Sequence, residues 1–208
     1  MNAQAKLLIT ALAFGGSIST ASAAGVITDI TASGGGLGSF EVLSNTTDPN
    51  VLDLSKTFDS LDPIVLTFTV GHIDGGPGNP YAVTETITNN TGQSWVDFHF
   101  SITEPTTGGQ GVVFTNFSNS ELTGFTLDSP SSGSTGPRNL NFTGELADQG
   151  MATATFNLSP FDPGAGNTAT FTLTQVPTIP EPETYAMLLA GLGLVGAMAR
   201  RRSSKRNA

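Results

Sequence analysis

The sequence contains no cysteine, so no disulfide can staple it, no thiolate can act as a nucleophile, and no Cys-bearing zinc site can form. Positive charge is nearly as scarce. Between Ala24 and Pro180, fifteen Asp and Glu residues face only Lys56 and Arg138. Nucleic acid is thereby excluded as a partner, because binding phosphates requires a basic footprint. There is no EF-hand spacing, no repeated GGxGxD nonapeptide and no GxSxG elbow, so no ready-made calcium loop or hydrolase nucleophile can be read. No helical period survives outside the two termini.

What is present begins with the ends. The N-terminus carries Lys6, an apolar run from Leu7 to Phe14, and small residues closing on Ala21-Ser22-Ala23. That order is a secretory signal peptide over residues 1–23, cut by signal peptidase after Ala23. At the other end Pro180-Glu181-Pro182 precedes an uncharged run over residues 184–199, and a basic cluster of Arg200, Arg201 and Arg202 follows at once. The run is expected to form one transmembrane helix. At 1.5 Å per residue it would reach about 24 Å, short of the ~30 Å hydrocarbon layer, so flanking side chains must snorkel or the bilayer must thin. The arginines stay cytoplasmic by the positive-inside rule, which places the acidic domain outside, in agreement with the leader.

The triplet, the short apolar segment and the terminal arginines together resemble the PEP-CTERM protein-sorting signal of Gram-negative bacteria. The resemblance implies that exosortase, a membrane protease, processes the tail. The chain would then be held briefly at the inner membrane before it reaches the cell surface or the medium. Only about Val176 to Arg206 is covered, so the likeness concerns sorting and assigns no family to the exported domain, residues 24–176.

That domain alternates apolar and polar residues with period two, the mark of half-buried strands. Ile64, Leu66, Phe68 and Val70 share one face, as do Val96, Phe98, Phe100 and Ile102, and turn clusters such as Asn89-Asn90-Thr91-Gly92 separate the runs. Strands are expected near 26–32, 38–44, 51–57, 63–70, 81–88, 94–103, 111–117, 121–127, 139–146, 152–158 and 168–176. The fold class is all-β, an antiparallel two-sheet sandwich of jelly-roll or immunoglobulin-like type. Twelve phenylalanines from Phe40 to Phe171 supply the core bulk. The segment from Tyr81 to Glu104 reads as a hairpin.

Strict alternation puts Trp95, Asp97 and His99 on one outward face, where an indole, a carboxylate and an imidazole would suit a sugar. A plainer account has the Trp covering a sheet end and Asp97 orienting His99. Asp59, Asp62, His72 and Asp74 lie in acidic loops whose oxygens suit Ca²⁺, and the plainer account reads them as solvated turn residues. No catalytic residue, metal or cofactor is expected. The leading expectation is an exported non-enzymatic protein of the cell surface or the extracellular polysaccharide matrix of a biofilm. A carbohydrate-binding or adhesive module is the alternative, with a secreted hydrolase behind it.

Overall fold

The computed structural model describes residues 6–8, 25–43, 50–72, 80–103, 112–128, 138–179 and 187–195. Met1–Thr178 forms one compact unit and Ile179–Ala208 a second. In the first, the described strands are β1 (Lys6–Leu8), β2 (Val26–Ser33), β3 (Leu37–Val42), β4 (Val51–Phe58), β5 (Ile64–Gly71), β6 (Tyr81–Asn89) and β7 (Trp95–Thr103). There follow β8 (Val113–Thr115), β9 (Glu121–Leu122), β10 (Phe125–Leu127), β11 (Asn139–Leu146), β12 (Met151–Ser159) and β13 (Thr168–Thr178). One sheet runs β1-β2-β5-β13-β7-β11-β10, and the other β3-β4-β6-β12-β8, with β9 also on β12.

The long runs of β4, β5, β6, β12 and β13 alternate as their sequence demands. In β4 the buried set is Leu52, Leu54, Lys56 and Phe58, and in β5 it is Ile64, Leu66, Phe68 and Val70. These faces meet across the two sheets, where Phe58 of β4 lies 5.2 Å from Trp95 and 5.7 Å from Phe98 of β7, ring centre to ring centre. Phe100 of β7 meets Phe156 of β12 at 5.3 Å. Edge-to-face and tilted rings at such distances add to the burial of their area.

Connectivity departs from the expected antiparallel sandwich in one pairing, since β4 and β6 are parallel. The cause is the route of the chain. From β4 it crosses to β5 in the other sheet, returns to β6, and crosses again to β7. One excursion through the opposite sheet brings β6 back pointing the same way as β4, so a strand serves as the crossover that a helix usually provides. The expected hairpin over Tyr81 to Glu104 is therefore not formed. Its two strands lie in different sheets, joined by an arch.

Asn89 holds that arch. Its buried side chain donates Nδ2–H to the carbonyls of Gln93 (2.8 Å), Leu146 (3.2 Å) and Ala147 (3.1 Å) and accepts from the Thr91 N–H (3.0 Å). The last two carbonyls belong to the β11–β12 connection, which also crosses between sheets. On the other side the Asn90 N–H donates to the Phe58 carbonyl at 2.8 Å, at the start of the β4–β5 crossing. Three arches thus stack at one end. Gly92 (φ +77°) supplies a left-handed turn residue that most side chains avoid, and its N–H donates to Asp148 at 2.8 Å.

The arch also corrects the outward face assigned to Trp95. The β7–β11 register shifts between Thr143 and Leu146, opposite Asp97 and Trp95. Inward positions then fall at Phe98 and Trp95, three residues apart, and Trp95 is fully buried.

In the second unit a helix covers residues 187–195, about 14 Å at 1.5 Å per residue. Its Leu188, Leu189, Leu192, Leu194 and Val195 are exposed. Among the described residues no helix is long and apolar enough to cross a membrane, so the expected span over 184–199 is not seen as such. Of the expected leader, only Lys6–Leu8 is described, as a strand paired with β2.

Trp95→Ala and Phe98→Ala should each cost about 3–5 kcal/mol by leaving cavities. Asp97→Ala, which removes one half-buried hydrogen-bonding group, should cost roughly 1 kcal/mol. Denaturant melts of the three variants check this. A Trp95→Ala loss as small as that of Asp97→Ala would put the indole back on the surface.

Candidate functional site

Of the three residues expected to form a ligand face, the structure keeps two together. Asp97 and His99 remain half-buried on the outer side of β7. Asp97 Oδ2 accepts from the Thr178 hydroxyl at 3.3 Å, and His99 Nδ1 lies 3.0 Å from Asn141 Oδ1 on β11. Trp95 turns the other way, its Nε1–H donating to Thr91 Oγ1 at 3.1 Å. The indole packs edge-on or tilted against Phe58 and Phe98 and is fully buried, so Trp95 offers no face for a sugar to stack on.

The acidic turn residues also have partners. Asp59 Oδ1 accepts from Asn90 Nδ2 at 2.9 Å, and Asp62 from the Ser60 hydroxyl at 3.3 Å. Asp74 lies outside the described residues, while His72 Nδ1 sits 2.8 Å from both carboxylate oxygens of Asp162. Burial pushes the Asp162 carboxyl up. The Gly164 N–H, then the hydrogen bond and charge of His72, outweigh burial and hold it below the usual carboxylate range. Among the described residues no three metal-ligating side chains gather.

The densest chemistry lies where the sequence reading did not look. Lys56 of β4, Glu85 of β6 and Gln175 of β13 are buried between the sheets. Lys56 Nζ lies 2.5 Å from Glu85 Oε1 and also donates to Gln175 Oε1. Gln175 Nε2 donates to Glu85 Oε2 at 3.0 Å and Oε1 at 3.2 Å, so all three groups touch one another. Burial drives the Lys56 ammonium down to about 8, against the opposing pull of the Glu85 charge and hydrogen bond. A signal was available: Lys56 falls in phase with Leu52, Leu54 and Phe58, Glu85 with Val83 and Ile87, and Gln175 with Phe171 and Leu173.

Pro180, Glu181, Pro182, Arg200, Arg201 and Arg202 lie outside the described residues. Their assignment comes from sequence comparison. A family model described as the PEP-CTERM protein-sorting motif matches residues 178–202, so the chain carries this motif at its C-terminal end. The match supports an exported, exosortase-targeted protein. No curated protein and no solved structure gave a match to the chain.

The lowered Asp162 value makes an acid-side expectation. Because its folded pKa lies below its unfolded one, the stability it contributes is complete above the ordinary carboxylate range and is lost as pH falls through the folded value. Asp162→Asn should therefore lower the thermal midpoint at neutral pH, and the gap should close below about pH 4. Midpoints measured across that range check it, and a gap unchanged at the acid end would contradict the assignment.

Proposed function

We propose that the chain is an exported, non-enzymatic protein of the cell surface or of the extracellular polysaccharide matrix of a biofilm, handed by signal peptidase and then exosortase to its destination. The motif match at residues 178–202 carries this reading. The charge distribution agrees with it: the acidic domain stays soluble and colloidally repulsive outside the cell, and the basic cluster after residue 199 favours the cytoplasmic side. Pro180 and Pro182 flank Glu181 with two residues that lack a backbone N–H and have a fixed φ, a sequence that disfavours helix and sheet and suits a protease substrate.

The non-enzymatic part of the proposal rests on where the polar groups are spent. Asp97, His99, Asp59 and Asp162 each hold a neighbouring strand or turn through a named hydrogen bond. The carbohydrate-binding alternative loses its main support with the burial of Trp95. A contact with polysaccharide would then use the outer strand faces and their Thr and Asn side chains, through many weak polar contacts and no stacked ring.

Processing tests the reading. Surface protein from a native host should lack Arg200 to Arg206 and end near Pro180, as read by intact mass. Replacing Arg200, Arg201 and Arg202 with Ala should leave the chain mis-sorted. A mature form that keeps the basic tail would overturn the proposal.

A further inference from the structure

We propose that Lys56 and Gln175 condense into an intramolecular isopeptide bond, with Glu85 as the proton carrier. The inference starts from placement. Lys56 is the single lysine between Lys6 and Lys205, yet it sits fully buried, in phase with the apolar residues of β4. Its amine touches the side-chain amide of Gln175, 119 residues away on the last strand and in the opposite sheet. Glu85 contacts both reacting groups, at 2.5 Å from Nζ and 3.0 Å from Nε2. The strands bordering the three residues supply Leu54, Ile87, Ile64 and Phe100, all buried, and Phe58 lies beneath Nζ at 5.7 Å. Water is excluded, so hydrolysis does not compete, and the reactants are held by two sheets in one arrangement.

The step balances. Lys56 passes a proton to Glu85 and becomes a neutral amine, a change favoured by the burial that already lowers its pKa. Nζ then attacks Cδ of Gln175, and the Nζ–Cδ bond forms. Glu85 gives its proton to Nε2 and takes one from Nζ, the Cδ–Nε2 bond breaks, and ammonia leaves. Of the protons first carried by Nζ and Nε2, three depart with ammonia, one stays on the new amide nitrogen and one rests on the Glu85 carboxyl. No oxidant or reductant is needed. The product replaces a buried ammonium by a neutral amide, which removes the cost of holding that charge away from water.

Cleavage of the full chain at arginine, after denaturation, reads the bond directly, because Arg138 lies between Lys56 and Gln175 and is the first arginine in the sequence. The wild-type segments on either side of Arg138 should remain one covalent species, lighter than their summed masses by one ammonia, with fragmentation placing the link at Lys56 and Gln175. In the denatured wild type an amine reagent should leave Lys56 unmodified. Lys56→Met and Gln175→Leu should each release two separate segments. Glu85→Gln should link far more slowly than wild type during folding, and linkage at the wild-type rate would remove Glu85 from the reaction. Two segments of full mass from the wild-type chain, with Lys56 open to the reagent, would overturn the bond itself, whatever the variants do.

Discussion

A buried ammonium, a buried carboxylate and a buried amide between two apolar sheets set the terms for the rest of this fold. Each would be costly alone, and they are tolerable only because each satisfies the others. That mutual need fixes register. A slip of one residue in β4, β6 or β13 would turn one partner to solvent and leave the other two in the core with only each other to satisfy them. Leucine or phenylalanine at the same positions would bury as much surface but accept many registers. Lys56 and Glu85 therefore select the parallel pairing of β4 with β6, and Gln175 selects the facing of the second sheet.

The missing cysteines gain meaning beside this cluster. Exported β domains are commonly stapled by disulfides, which act largely by restricting the unfolded chain. A bond between Lys56 and Gln175 would close a span of 119 residues, and loops of about that length are worth on the order of 4–5 kcal/mol in the chain-entropy account. An amide does not depend on the redox state of the surroundings. The remaining cohesion comes from aromatic contact across the sheets, from Phe58 and Trp95 through Phe98 and Phe100 to Phe156 and Phe114.

Sequence alternation predicted the strands well because each long run has a single buried face, and burial is what alternation records. The expected runs 51–57, 63–70, 81–88, 139–146 and 152–158 each correspond to one strand whose bounds agree to within one residue. Expected strand 121–127 is broken into β9 and β10 by a turn at Gly124 (φ +86°). Partnership was not legible. A hairpin and an arch both require two amphipathic runs and a polar turn, and what separates them here is the long-range pinning of Asn89 to Leu146 and Ala147, which no local pattern announces. The same arch moved Trp95 inward. The buried cluster was legible in its phase, since Lys56, Glu85 and Gln175 each interrupt an apolar series, but a polar residue in an inward position has meaning only once its partners are known.

The end of the domain and the start of the sorting motif fall together. Strand β13 runs to Thr178, pairing Val176, Pro177 and Thr178 with His99, Phe98 and Asp97 of β7, and the motif match opens at residue 178. Pro177 is buried and the Thr178 hydroxyl donates to Asp97, so the last strand is fixed up to its final residue. Pro180, two positions on, has no N–H with which to extend the ladder. Gln175 lies three residues before the end of that strand, so the strand that holds the buried cluster is complete before the triplet begins. Removal of the tail beyond the triplet takes none of the described strand residues from either sheet, since β13 ends at Thr178.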